Sequence, residues 1–144
     1  MKTFTLDEAQ ALLPIVESLL NRATEAKEAA SDLQEEISTL ARRIFASGGM
    51  FIDVAAAQKR RVALEALVQR AKDALQEIDA AGAQVKDLDT GLLDFPCVLD
   101  GETVLLCWKR GEPRIDFWHR IEDGFAGRQP IDARFGPTAP DKLN

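Results

Sequence analysis

Eleven apolar residues, Ala9, Leu12, Val16, Leu19, Ala23, Ala26, Ala30, Leu33, Ile37, Leu40 and Ile44, follow one another in alternating steps of three and four. Only an α-helix lines up that spacing on one stripe, and a stripe sustained over five heptads is a coiled-coil seam that needs a partner. At about 1.5 Å per residue such a helix is roughly 55–60 Å long. Thr5 followed by Glu8 is a capping box that starts it near Leu6. Pro14 lies too deep for a first-turn proline and is expected to kink or reset the helix, at a cost of about 3 kcal/mol. Ser47, Gly48 and Gly49 end it.

The chain supplies its own partner. Asp53 is a good N-cap for a return helix whose seam runs through Ala57, Leu64, Leu67, Ala71, Ala74, Ile78 and Ala81, with Arg60 at one core position. Folding back at Gly48–Gly49 sets Ala26 opposite Ala71 and Ala23 opposite Ala74, where small side chains allow close approach. Leu13, Leu20, Val68 and Leu75 widen the apolar face near the base, so something else must cover it there.

After Gly82 the period changes from helical to alternating. Val85–Leu88, Leu92–Leu99, Glu102–Trp108 and Arg114–His119 read as four antiparallel strands in meander order. Asp100-Gly101 is a two-residue hairpin signal that sets Cys97 opposite Val104, Phe95 opposite Leu106 and Leu93 opposite Trp108. A four-residue loop at Arg110–Pro113 then puts Ile115 and Phe117 on the core face with His119 at its margin. Asp94, Pro96, Leu105, Cys107, Asp116 and Trp118 take the other face. A one-residue slip in the last strand would exchange its two faces. The expected fold is therefore α+β: a long antiparallel, coiled-coil-like helical hairpin (residues 1–82), then a small antiparallel β-meander module packed at its base, with an ordered C-terminal loop (residues 83–131), then a loosely ordered tail (residues 132–144).

Composition limits what such a chain does. A formal net charge of −6, shared by both halves, argues against broad neutralisation of nucleic-acid phosphates. No stretch approaches the roughly 20 apolar residues of a membrane span, and the N-terminus lacks the apolar core of a secretory signal. Cys97 and Cys107 have no metal or redox spacing and read as reduced thiols, which suits a cytoplasmic protein.

The segments VKDLDTGLLDFP, LCW, GEP, FWH and GFAGR, in that order after a helical pair, resemble an uncharacterised bacterial family catalogued only as a domain of unknown function. The likeness covers essentially residues 3–131. It implies a small bacterial cytoplasmic protein and brings no activity, cofactor or site with it.

Two surfaces carry candidate chemistry. On the β-module, Asp94, Glu112, Trp118, His119 and Arg128 form a possible ligand or interaction site, with the carboxylates and His119 suited to acid–base work or metal ligation. A single histidine and the absence of an HxH or HExxH spacing weigh against a metal, and none is assigned. At the hairpin tip, Arg42, Arg43, Lys59, Arg60 and Arg61 flank Met50, Phe51 and Ile52; the plainer account is a plugged coiled-coil end, and the other is an anionic membrane surface. No nucleophile elbow, Walker loop or dinucleotide fingerprint is present. The reading favoured is a non-enzymatic interaction or scaffold protein that self-associates through its helical arm as a homodimer. A small enzyme or ligand-binding module on the β-sheet is the alternative.

Overall fold

The structure, a computed structural model, describes residues 2–49 and 52–136. Two long helices, α1 (Leu6–Ala46) and α2 (Val54–Ala81), pack together and are followed by a five-stranded antiparallel sheet: β1 (Gln84–Asp87), β2 (Leu92–Leu99), β3 (Glu102–Lys109), β4 (Phe117–Arg120) and β5 (Gln129–Pro130), in that spatial order. The expected α+β architecture is what is found. Among the described residues no helix is long and apolar enough to cross a membrane.

The local signals act as their chemistry requires. Thr5 N–H donates to Glu8 Oε1 at 2.9 Å and Glu8 N–H to Thr5 Oγ1 at 3.1 Å, closing the capping box. Asp53 Oδ1 accepts from Ala56 N–H at 2.9 Å and starts α2. Asp100 and Gly101 both have positive φ, 52° and 78°. That pairing is what a two-residue type I′ hairpin demands. Pro14 departs from expectation, because α1 runs through it as one helix. Its ring faces solvent, so the fold carries the missing hydrogen bond instead of breaking there. Pro14→Ala is expected to raise stability by up to about 3 kcal/mol, read as a higher denaturation midpoint at unchanged m-value. A lower midpoint would show that the proline is favourable at that site.

By its internal contacts the chain divides into two compact units, Met1–Leu20 with Leu75–Asn144, and Asn21–Ala74. In the first, one apolar cluster joins the start of α1 (Leu6, Ala9, Leu13, Val16, Leu20) and Ile78 of α2 to Leu93, Phe95, Leu106, Trp108 and Trp118 of the sheet. Phe4 stacks edge-on against Phe95, with ring centroids 5.7 Å apart, a favoured aromatic geometry. Pro96, in the middle of β2, is tolerated for a specific reason. Its carbonyl accepts from Phe4 N–H at 2.7 Å. The backbone groups of this residue therefore face the edge away from β3, where no ladder donor is missed.

The β2–β3 register is as expected, with Leu93 opposite Trp108, Phe95 opposite Leu106 and Cys97 opposite Val104. The last strand is shifted by one residue. Leu106 faces Trp118 and Leu105 faces His119, so Trp118 is core, while Phe117 and His119 lie on the opposite face. The cause is in the β3–β4 connection. Glu112 N–H returns to Lys109 O at 3.0 Å, Glu112 Oε1 takes Lys109 N–H at 2.7 Å, and Gln10 Oε1 takes Ile115 N–H at 2.9 Å. The strand therefore begins later than expected, at Phe117. Gln129–Pro130, read from sequence as loop, pairs with Phe117 and Trp118 as a fifth strand. Asp132–Gly136 forms a capped 3-10 turn whose Phe135 ring lies 5.5 Å from Trp118.

In the second unit the seam is covered unevenly. Ala23, Ala26, Ala30 and Ala74 are buried, whereas Leu33, Ile37, Leu40, Ile44, Leu64 and Leu67 are only half-buried. Ala57 and Val68, both expected to be covered, are exposed.

Candidate functional site

Register decides which side chains share the outer face of the sheet. Asp94 on β2 sits directly opposite Cys107 on β3, and His119 on β4 sits opposite Leu105, two residues along β3 on the same face. Asp94, Cys107 and His119 are all buried, at 1%, 0% and 3% exposure, and one ligand atom from each lies within 4.8 Å of the other two. The sequence pattern places Asp116 in this row. It instead pairs with Arg114 near the surface, 2.7 Å away.

The hydrogen bonds of His119 fix its tautomer. Nδ1 lies 2.7 Å from the carbonyl oxygen of Arg120. A carbonyl can only accept, so Nδ1 carries a hydrogen. Nε2 lies 3.2 Å from Asp94 Oδ1. A neutral ring would thus direct its lone pair at a carboxylate oxygen, and a proton or a metal cation between the two atoms satisfies both. Cys107 completes the cluster. Burial, then the negative charge of Asp94, push its thiol up to about 12, so the bare site keeps it protonated.

Beside this cluster is a cavity of about 310 Å³ with Asp94 and His119 in its wall. Leu92, Leu105, Ile121 and Phe125 give it apolar sides, and Gln84 and Lys86 polar ones. Among the described residues, Asp94, Cys107 and His119 are the group of three that could hold a cation.

The other expected site residues are arranged differently. Glu112 and Arg128 form a partly buried ion pair in which one guanidinium nitrogen reaches both carboxylate oxygens, at 2.8 and 2.6 Å. The same guanidinium lies 4.0 Å above the Phe117 ring and 4.7 Å from the Phe125 ring centroid, within cation–π range of both. This group braces the loop that forms one wall of the cavity. Trp118, expected on the outer face as part of the ligand or interaction site, is 2% exposed and part of the core. Cys107 is absent from the site read off the sequence because its spacing from Cys97 matches no ligand motif. Its position opposite Asp94 is the signal that points to it.

At the hairpin tip, Arg60 lies 3.6 Å from Glu36 across the two helices, in line with the expected antiparallel pairing. Arg60 and Arg61 border an apolar groove of about 620 Å³ between Ile37, Leu40, Ile44 and Leu64. Arg43 instead shares an acidic recess with Asp32, Glu35 and Glu36, Arg42 bonds Thr39 at 3.2 Å, and Lys59 is exposed. Phe51 and Met50 lie outside the described residues.

No curated protein and no solved structure matches the chain. The segments that resemble a known family, LDFP, LCW, GEP, FWH and GFAGR, are the ones that contribute Asp94, Cys107, Glu112, His119 and Arg128 to the outer face of the sheet and its loop. The family described as an uncharacterized conserved protein (DUF2203) matches residues 2–131, and the chain belongs to that family.

Proposed function

We propose that the protein is a non-enzymatic interaction protein that self-associates through its helical hairpin as a homodimer. The supporting observation is the open seam. Beyond Ala30 on α1 and before Ala74 on α2 no described apolar residue is fully buried, and the groove between Ile37, Leu40, Ile44 and Leu64 has no cover from the described residues of this chain. Phe45, Ile52, Val54 and Val62 add exposed apolar area, with Phe45 87% exposed, and apolar area of this kind marks an interaction surface. A second copy is the occupant that the charges suit. Apart from Arg60 and Glu36, which pair within the chain, the acidic residues Asp32 and Glu35 and the basic residues Arg42 and Arg61 are complementary when two hairpins lie antiparallel about a two-fold axis. A bacterial cytoplasmic setting belongs to the same reading, supported by two buried free thiols.

Sedimentation velocity over micromolar concentrations is expected to return a dimer. Leu40→Asp with Ile44→Asp should weaken it by at least about a hundredfold, since each buried aliphatic side chain contributes about 1.5–3 kcal/mol. A strict monomer for the unaltered chain would overturn the proposal.

A second reading, a small ligand-binding or catalytic module on the sheet, is supported by the convergence of Asp94 and His119 in the wall of one cavity. It assigns the outer face of the module a ligand and leaves the hairpin its pairing role.

A further inference from the structure

We infer that Asp94, Cys107 and His119 form a site for one divalent transition-metal ion of the zinc class, bound through a carboxylate oxygen, Sγ and Nε2. The inference deepens the ligand-binding reading of the module and is independent of hairpin pairing: a monomer can bind the ion, and a dimer can fail to.

The donor geometry suits such an ion. Tetrahedral zinc with bonds of about 2.0–2.3 Å holds its ligand atoms roughly 3.3–3.8 Å apart. The Asp94–His119 contact of 3.2 Å already lies near that range, and every donor separation is within 4.8 Å. Small side-chain rotations therefore close the site without moving the strands, whose backbones are fixed by the β2–β3–β4 ladder.

The ring of His119 is held as a ligating imidazole is held elsewhere. Its Nδ1–H donates to a backbone carbonyl, which leaves Nε2 as the metal-facing nitrogen. A cation between Nε2 and the Asp94 carboxylate removes the confrontation of two acceptors and compensates a carboxylate that is almost fully buried. When the ion binds, the Cys107 S–H bond breaks, its proton leaves to solvent and the sulfur electron pair becomes the metal bond. A mixed nitrogen, oxygen and sulfur set favours zinc, cobalt(II) or copper over magnesium or calcium, which prefer oxygen alone.

Three protein ligands leave a tetrahedral ion one open position. The cavity beside Asp94 and His119 offers space for it, with Lys86 in the wall as a positive counterpart. The fourth ligand is accordingly water or a small anion such as a carboxylate.

The test uses the full chain, freed of metal by chelator dialysis and titrated with cobalt(II), then with zinc by equilibrium dialysis and elemental analysis. One equivalent is expected, with the intense visible bands of tetrahedral cobalt and a thiolate-to-cobalt charge-transfer band. Cys107→Ser should abolish the charge-transfer band. Both Cys107→Ser and His119→Ala should weaken binding by more than the roughly 10–100-fold that follows loss of an outer-sphere partner. Cys107→Ser alters one atom and serves as the variant least able to disturb folding, checked by circular dichroism. Added zinc should raise the Tm of the unaltered chain and not that of Cys107→Ser. Absence of stoichiometric binding by the unaltered chain, or binding that neither substitution changes, would overturn the inference. In either case the contact between His119 and Asp94 is a buried hydrogen bond and not part of a metal site.

Discussion

Trp108→Ala is expected to cost about 3–5 kcal/mol, a large part of the roughly 5–15 kcal/mol that holds a domain of this size folded. Trp108 is completely buried opposite Leu93, on the sheet's inner face near the end of β3. Its indole Nε1–H also donates to the carbonyl of Glu112 at 2.9 Å, tying the core to the turn between β3 and β4. Trp108→Phe keeps much of the ring yet leaves that carbonyl unpaired, for about 1–3 kcal/mol. Trp118 is a useful contrast. It is similarly buried, but its Nε1–H has no hydrogen-bond partner among the described residues. Trp118→Phe therefore removes an unpaired donor along with some volume and should cost less than Trp108→Phe. Guanidinium denaturation of the three variants gives the order directly; equal losses for the two Trp→Phe changes would contradict it.

Arg128→Ala should cost about 2–4 kcal/mol, because it strands the partly buried Glu112 carboxylate and removes a cation from between two aromatic rings. The side chains of Arg128 and Glu112 are only 12% and 22% exposed. Solvent therefore screens the pair far less than the surface pair Arg114–Asp116. Lysine should recover little, since an ammonium cannot lie flat on Phe117 while reaching both carboxylate oxygens. A double-mutant cycle with Glu112→Ala isolates the pair, and a coupling of at least about 1 kcal/mol is expected. A value near zero would mean that Arg128 acts through its ring contacts alone.

The parts of this fold that were legible are those fixed by local chemistry. Thr5 and Glu8, Asp53, Gly48–Gly49 and Asp100-Gly101 each determine a chain direction within four residues, and the structure follows all of them. The β2–β3 register comes with the two-residue turn. The β4 register does not, because Phe117 and Trp118 are adjacent aromatics and either could face the core. The choice depends on bonds from Glu112 to Lys109 and from Gln10 to Ile115; the latter joins residues 105 apart in sequence. That single step moves His119 onto the face of Asp94 and Cys107, and Trp118 off it. The candidate site was therefore half visible: Asp94 beside Cys107 follows from the hairpin, whereas the histidine needed the three-dimensional loop.

The bond from Phe4 to Pro96, and the core that joins the first turns of α1 to β2, β3 and β4, have a consequence for the timing of synthesis. The apolar face of Leu6–Leu20 leaves the ribosome early, yet most of its covering residues lie between Leu93 and Trp118. At about 5–20 residues per second, that face waits roughly 5–20 s before its partners exist. The hairpin unit contains neighbours close in sequence across the Gly48–Gly49 turn and can assemble during that interval. The first four turns of α1 are therefore the stretch of nascent chain whose apolar face stays uncovered longest, until β4 pairs.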